Sequence, residues 1–417
     1  MSTLIKPFRG LRPAPGRATE IAAPPYDVLS SDEARRIVHG GAEGKPWSFL
    51  HISKPEIDLP LDTDPYSPAV YAKAAENLAA MLEAGVLVRD TQACYYAYRL
   101  TMPLLNGDHV QTGIVAAASV ADYDTNRIRK HEFTRPDKED DRVRQIEALS
   151  AQTGPVLLAY PNAPEVDAVI ANATLQPPAA DVLADDGIRH QIWVISDSVI
   201  IEALTKSFDA MTALYIADGH HRSAAASRVA AARRQSGHNL SSDAFLAVIF
   251  PQQQMKILDY NRVVKDLNGM DATALLAKCN TAFTVEKAGA RVSPARPGEF
   301  GMYIADAWYK LTIKPELIPT DPVASLDVSL LSDHLLGPIL NINDLRRDKR
   351  IDFVGGIRGL SELEKRVNSG EMAVAFALHP TRMDQLMAVA DSNNVMPPKS
   401  TWFEPKLADG LVSHVLD

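Results

Sequence analysis

The chain has 417 residues, 46% hydrophobic and 23% charged, a length and composition typical of a folded globular protein with two or three domains. Its formal net charge of −9 disfavours a surface that coats nucleic acid, because such surfaces need a basic surplus. The only two cysteines, Cys94 and Cys279, form no CxxC pair, which excludes a disulfide framework and a cysteine zinc site. The sequence has neither a membrane-length apolar run nor a signal-peptide core, so we expect a cytoplasmic protein.

Proline dominates the first segment of the chain. Residues 6–28 contain five prolines, and a proline pair stands just before Tyr26 and Asp27. Proline fixes φ and biases the preceding residue toward extended geometry, so we predict a rigid, non-helical ribbon here. A helix follows, with Ser30 or Ser31 as its N-cap and acidic residues in its first turn.

Apolar periodicity predicts strands and helices through the rest of the chain. The predicted strands cover residues 94–102, 110–120, 155–160, 188–195, 213–217, 244–250, 351–354 and 372–378, with a further hairpin over 302–313. The predicted helices cover residues 71–85, 223–234, 328–336 and 360–367. The Asn106-Gly107-Asp108 turn joins the first two strands as a hairpin. This pattern predicts an α+β fold with mixed sheets.

The sharpest local pattern is a strand that runs into the sequence Asp218, Gly219, His220, His221, Arg222 and then a helix. Asp218 is predicted to cap the helix, and Gly219 lets the backbone turn close to a ligand. Free amides and the positive dipole end of the first turn favour an anion, and Arg222 offers a planar fork that suits phosphate. His220 and His221 are able to donate hydrogen bonds to that phosphate or to transfer a proton. We therefore predict a phosphate site at this turn.

Two other interpretations of this motif stay open. The helix can be an ordinary capped helix whose His and Arg side chains satisfy structural partners. A metal site on His220 and His221 is disfavoured, because adjacent helical side chains point about 100° apart.

A second candidate segment is Asp27, which can hold a metal ion or act as a base. Glu20 is the alternative early carboxylate, and the structural interpretation makes Asp27 a turn acceptor. A third candidate lies in residues 127–147, which carry seven basic and six acidic side chains. There, Arg135 belongs to a predicted phosphate clamp with Glu132 near it, and the alternative is a solvated helix face with ion pairs. The other cations of the predicted clamp are Arg129, Lys130 and Arg142.

A fourth candidate is the loop formed by Lys399, Ser400 and Thr401. It is not a Walker A motif, because Pro397 and Pro398 replace the glycine loop. These three residues and Lys406 are predicted to close over an anion. The alternative is a segment that is simply docked through Trp402 and Phe403.

Five segments within residues 5–412 resemble the domain of unknown function 1015 family: IKPFRGLRP, AAPPYDVLS, KHEFTRPDKEDDR, IADGHHR and MPPKSTWFEPKLADGLV. The DGHHR segment also resembles the phosphate-binding turn of the ParB/sulfiredoxin-like superfamily, which contains partition proteins, sulfiredoxin and free-serine kinases. Ser223 departs from that pattern, since an aromatic residue is expected after the motif arginine. This departure alters how a base or substrate packs.

The resemblance implies a ParB/sulfiredoxin-like core made of residues 1–50 and 205–265. It further implies an inserted α/β region at 51–204 and a C-terminal α/β region at 266–417 that closes on the site. The implied function is phosphoryl transfer to a small hydroxylated metabolite, with free serine as the best single candidate.

The implied donor is a nucleotide or pyrophosphate with magnesium, which Asp27 or Asp218 would place. A nucleotide-binding regulator without catalysis and a small-molecule phosphatase or hydrolase are the alternatives. We expect a small-molecule substrate and neither a membrane nor a nucleic-acid partner, and a homo-oligomer is compatible with the sequence.

Overall fold

The computed structural model describes residues 3–41, 44–104, 106–237 and 240–417, and its architecture is α+β. The strands are β1 (Ile5–Lys6), β2 (Gly10–Pro13), β3 (Leu87–Arg89), β4 (Tyr95–Met102), β5 (His109–Ser119), β6 (Ile128–Arg129), β7 (Ala151–Gln152), β8 (Val156–Tyr160), β9 (Ala180–Leu183), β10 (Arg189–Ile195), β11 (Leu214–Asp218), β12 (Ala244–Pro251), β13 (Lys256–Leu258), β14 (Tyr260–Val264), β15 (Phe283–Ala288), β16 (Glu299–Ile304), β17 (Ala307–Ile313), β18 (Ile351–Gly355), β19 (Val374–Leu378), β20 (Trp402–Glu404) and β21 (Ser413–Val415). The α-helices are α1 (Ala18–Ile21), α2 (Ser31–His39), α3 (Leu50–Ser53), α4 (Pro68–Glu83), α5 (Val120–Asp124), α6 (Pro136–Leu149), α7 (Pro164–Ala173), α8 (Ser198–Asp209), α9 (His220–Gln235), α10 (Ala272–Cys279), α11 (Asp327–Leu331), α12 (Leu360–Asn368) and α13 (Met383–Asp391).

The chain forms two compact units. The first unit joins Met1–Met255 to Pro405–Asp417, and the second unit is Lys256–Glu404. Strands β1, β5 and β11 share one sheet of the first unit, although they come from the segments predicted as core and as insertion. The division into a ParB/sulfiredoxin-like core, an insertion and a closing C-terminal region stays a prediction.

The first unit is built on a nine-stranded mixed sheet. Its strands lie in the order β6-β11-β8-β12-β5-β4-β10-β9, and β1 pairs with β5 beside this path. The pairs β11–β6 and β12–β8 are parallel, whereas β5 pairs with β12 and β4 in antiparallel fashion. All eight residues of β12 are apolar and buried, as expected for a strand that is covered on both faces.

A four-stranded sheet brings distant parts of the first unit together. Its order is β3-β2-β21-β7, and Gly10 of β2 pairs with His414 of β21. An isolated antiparallel bridge adds to this connection, since Ala23 and Asp409 exchange backbone hydrogen bonds of 2.9 and 3.1 Å. The segment that follows the second unit therefore lies against the proline-rich segment.

The second unit contains a six-stranded antiparallel sheet in the order β15-β17-β16-β19-β14-β18, and β13 pairs with β20. The β16–β17 hairpin turns at Ala305 and Asp306, whose φ angles of 47° and 56° are left-handed. No helix in the described ranges of either unit combines the length and apolarity that a membrane crossing requires.

Local predictions agree well with these elements. The predicted hairpin through Gly107 is confirmed as β4–β5, and Ser30 caps α2 in a capping box with Glu33. The ribbon prediction for residues 6–28 is wrong in part, because α1 forms at Ala18–Ile21. That stretch has no proline, so nothing there prevents a helical turn.

Gly113 in the centre of β5 tests the packing of the main sheet. A Cβ at this position would overlap the carbonyl oxygen of Ile249 and lie 2.7 Å from Cδ1 of Phe250. We expect Gly113→Ala to lower the free energy of unfolding by about 1–3 kcal/mol through overpacking, measured by urea unfolding. Gly289→Ala is the control, since no atom lies within 4 Å of its added Cβ. Equal midpoints for both variants would contradict the strand packing.

Candidate functional site

The turn between β11 and α9 depends on Gly219. Its φ of +96° is left-handed, and an added Cβ would lie 3.0 Å from Nε of Arg222. A side chain here would therefore be strained in its backbone and would press on the guanidinium. Glycine alone lets the strand enter the helix directly.

The prediction that Asp218 caps α9 is wrong. Oδ1 of Asp218 accepts a hydrogen bond of 2.8 Å from the Gly219 amide, and Gly219 itself is the N-cap residue. Glycine has no side chain with which to accept from the first-turn amides. The positive end of a 16-residue helix thus carries no side-chain cap from its N-cap residue and suits an anion.

Two cations flank Asp218 at this turn. Nη2 of Arg222 lies 3.5 Å from Oδ2 of Asp218, and Nζ of Lys406 lies 3.6 Å from the same oxygen. Burial acts to raise the pKa of Asp218, but Lys406 and Arg222, with smaller effects of His220 and the Gly219 amide, lower it to about 2. Asp218 is therefore ionised at physiological pH and is a weak base.

The two motif histidines hold a loop in place. Nε2 of His220 accepts from the backbone N–H of His131 at 3.4 Å, and Nε2 of His221 accepts from that of Arg135 at 3.1 Å. We call residues 131–135 the clamped loop. An imidazole nitrogen accepts only when it is unprotonated. Burial lowers the pKa of His220 well below its usual value, and lowers that of His221 as well.

Glu132 and Arg135 both lie in the clamped loop but face different surroundings. Oε2 of Glu132 is 3.7 Å from Nδ1 of His220, and its side chain is 48% exposed. The Arg135 backbone meets His221, whereas its guanidinium is exposed and pairs with Asp137 at 2.7 Å. Glu132 is thus the predicted side chain that reaches the turn, and the phosphate role of Arg135 stays a prediction.

Each of the other cations of the predicted clamp lies over a different aromatic ring. Lys130 lies 4.0 Å from the centre of the Tyr123 ring, Arg129 lies 5.8 Å from that of Tyr215, and Arg142 lies 3.9 Å from that of Tyr26. Each cation therefore has its own packing partner.

Asp409 is a site residue that the sequence interpretation missed. It is 2% exposed, and its carboxyl group interacts with Arg222, Asp27, Arg142 and the Tyr26 amide. Burial raises its pKa to about 7; Asp27 acts in the same direction, whereas Arg222 and Arg142 oppose it. The available signal was the LADG sequence at 407–410, which repeats the IADG of the turn.

Asp27 and Glu20, the two predicted early carboxylates, differ in their partners. Asp27 is exposed and acts electrostatically on both Arg222 and Asp409. Glu20 forms a surface ion pair with Arg17. Asp27 therefore belongs to the charge cluster of the turn, and Glu20 has a structural partner.

A small pocket of about 30 Å³ is lined in part by Arg222. Tyr26, Arg142, Gly154 and Asp409 contribute to its lining. This volume has room for about one water molecule, so a metabolite cannot bind there.

Lys399, Ser400 and Thr401 belong to the second unit. The Ser400 hydroxyl donates to the Pro397 carbonyl at 2.6 Å, and the Lys399 carbonyl accepts from the buried Arg262 at 2.9 Å. These contacts explain the local conformation of the loop, and its role at an anion site stays a prediction.

A preformed metal site is absent from the described residues, where no three His, Cys, Asp or Glu side chains converge on one point. Asp218 fits magnesium poorly, because two cations already face its Oδ2. Asp27 is the exposed alternative, and any magnesium ion here would be held mainly by ligand phosphates.

The fold and the turn define the class of the protein: an α+β protein with a candidate anion site where a strand enters a helix. The chain belongs to the family described as Protein of unknown function (DUF1015), whose sequence profile matches residues 5–329. The predicted family is thereby confirmed, with four of the five quoted segments inside the matched range and the fifth, at 396–412, outside it. The superfamily relation of the turn stays a prediction. Comparison with curated proteins gives no significant match.

Several solved structures are similar at low identity. A free serine kinase in complex with AMP is 12% identical, with a TM-score of 0.34 and coverage of 70% of this chain and 86% of that one. A conserved hypothetical protein from Pyrococcus furiosus is 14% identical, with a TM-score of 0.34 and coverage of 71% and 94%. SbnI from Staphylococcus aureus, truncated at its C-terminus, is 11% identical, with a TM-score of 0.36 and coverage of 70% and 84%. TM-scores this low do not establish a common fold and do not bear on function.

The neutral histidines predict a pH-dependent contribution to stability. Burial lowers the pKa of His131 from 6.5 to about 4, and that of His220 is also lowered. The unfolded chain therefore binds more protons, and this contribution is complete above about pH 6.5 and lost toward pH 4. In urea unfolding from pH 5 to 8, wild type should gain stability over His220→Gln as pH rises. A pH-independent difference would contradict a neutral His220.

The raised pKa of Asp409 predicts the opposite dependence of stability on pH. Its folded pKa of about 7 lies above the usual 3.8, so its contribution is complete below about pH 3.8 and lost as pH rises through 7. Asp409→Asn removes the titrating group. Between pH 5 and 8, we expect the free energy of unfolding of the variant to rise relative to that of wild type by the order of 1–3 kcal/mol. The measurement is urea unfolding at each pH, and a constant difference would show that Asp409 is ionised throughout.

Proposed function

We propose that this protein transfers a phosphoryl group from a nucleotide or pyrophosphate to a small hydroxylated metabolite. Free serine is the first candidate acceptor, because the DGHHR turn resembles that of free-serine kinases. The observation that carries the proposal is the convergence of Arg222 and Lys406 on Asp218, directly before the N-terminus of α9, which has no side-chain cap from its N-cap residue. Amides and fixed cations are the groups that stabilise a phosphoryl group in transfer.

The residues of the turn have different roles in the proposed reaction. The first-turn amides and Arg222 hold the donor phosphates, and Lys406 neutralises charge that develops on the leaving group. Asp218 keeps both cations in position, since its pKa of about 2 makes it unsuited to remove a proton at neutral pH.

The reaction also needs a base near the acceptor hydroxyl, and a carboxylate other than Asp218 can serve as that base. The acceptor oxygen attacks phosphorus, the bond from phosphorus to the leaving group breaks, and the hydroxyl proton passes to a base. Glu132 is the first candidate base, because it is half-exposed and lies 3.7 Å from His220, itself held at the turn. Asp27 is the alternative, since it acts on Arg222 from the proline-rich segment.

Magnesium is proposed only as a companion of the donor phosphates. It would supply further charge neutralisation there, with Asp27 as the exposed carboxylate that can contact it. The steps described above do not rely on it.

The decisive experiment incubates the protein with ATP or pyrophosphate and a panel of amino and hydroxy acids, with products identified by phosphorus NMR. Arg222→Ala and Lys406→Ala should each lower kcat/KM by about 100-fold, because each removes charge from the transferring group. Arg234→Ala is the matched control on the same helix, since its guanidinium pairs with Asp243 at the surface. Circular dichroism confirms that each variant is folded.

The outcomes separate the proposal from its alternatives. Release of free phosphate without a phosphorylated metabolite would replace the kinase by a phosphatase. Binding without turnover would favour a nucleotide-sensing regulator. Full activity of Arg222→Ala would remove the turn from the mechanism altogether.

A further inference from the structure

The clamped loop carries an exposed aromatic side chain between two residues that are anchored to the start of α9. Its first residue, His131, and its last, Arg135, are bound through their backbone amides to His220 and His221. These two histidines are the first two residues of α9. The loop is thus fixed at both ends to the same helix terminus that would bind the anion.

Phe133 stands at the middle of this loop. It is two residues from each anchored amide, and an extended chain spans at most about 3.6 Å per residue. Its backbone therefore lies within roughly 7 Å of both anchored positions. Single exposed apolar residues are common, but Phe133 is 63% exposed on a loop held beside a polar site.

The charge of the neighbouring residue limits the ligand further. Glu132 precedes Phe133 and is 48% exposed, with its carboxylate 3.7 Å from His220. A carboxylate here accepts hydrogen bonds from amino or hydroxyl groups, which a nucleoside carries and inorganic pyrophosphate lacks. A ligand with one phosphate end and one aromatic, hydroxylated end suits the helix amides, Phe133 and Glu132 together.

We propose that the donor is a nucleoside phosphate whose base stacks on Phe133, with its phosphates at the N-terminus of α9. This inference rests on the proposed function and names the class of its donor. Stacking of a base on an aromatic side chain is tolerant of base identity. The site should therefore accept several nucleotides and discriminate against inorganic pyrophosphate.

The test measures ADP and pyrophosphate binding by calorimetry to wild type, Phe133→Ala and Phe133→Trp. Phe133→Ala should weaken ADP binding by about 10-fold and leave pyrophosphate binding unchanged, because only ADP has a base to stack. Phe133→Trp should retain ADP binding. Leu175→Ala is the control for loss of an exposed apolar side chain, as Leu175 is 76% exposed elsewhere in the first unit.

Each result has a definite meaning. Unchanged ADP binding by Phe133→Ala, or an equal loss for ADP and pyrophosphate, overturns the stacking role. If ADP binding depends on Arg222 but not on Phe133, this inference fails and the anion site stands. If wild type binds neither ADP nor pyrophosphate, both this inference and the proposed function fail.

Discussion

A guanidinium keeps its charge at every physiological pH, so an arginine taken out of water must be surrounded by acceptors and carboxylates. Only 12% of the Arg222 side chain is exposed. Burial lowers its pKa, but Asp218, Asp27 and Asp409 favour the charged form and the net pKa is raised. The Pro155 carbonyl accepts one of its N–H groups. Four separate segments of the first unit are therefore fixed around one side chain.

The same constraint explains why the carboxylates of this cluster differ. Asp218 shares its oxygen with two cations and stays ionised, whereas Asp409 is almost fully buried and has a pKa near 7. Environment, and not residue type, separates their chemical roles. Asp218 stays negatively charged and holds Arg222 and Lys406 beside it, whereas Asp409 gains or loses its proton near neutral pH.

The sequence predicted the parts of the site that depend on local chemistry. An apolar strand, an Asp-Gly pair and a helix are contiguous, so the β11–α9 turn follows from a few adjacent residues. The choice of partner was not predictable in the same way. Asp218 binds the next amide instead of capping the helix, and the histidines accept from backbone amides 89 and 86 residues away. Asp409 was missed because its raised pKa depends on burial in the folded protein, and the adjacent residues in the sequence do not reveal that burial.

The bridge between Ala23 and Asp409 and the pairing of β2 with β21 make the first unit discontinuous in sequence. A gene fragment that stops after β12 would omit Lys406 and Asp409, and it would leave β2 and β7 without the strand that lies between them. Any separately expressed form of this unit must therefore carry residues 405–417, spliced onto the fragment through a linker. The second unit therefore interrupts the sequence of the first unit, and residues of the candidate site lie on both sides of that interruption.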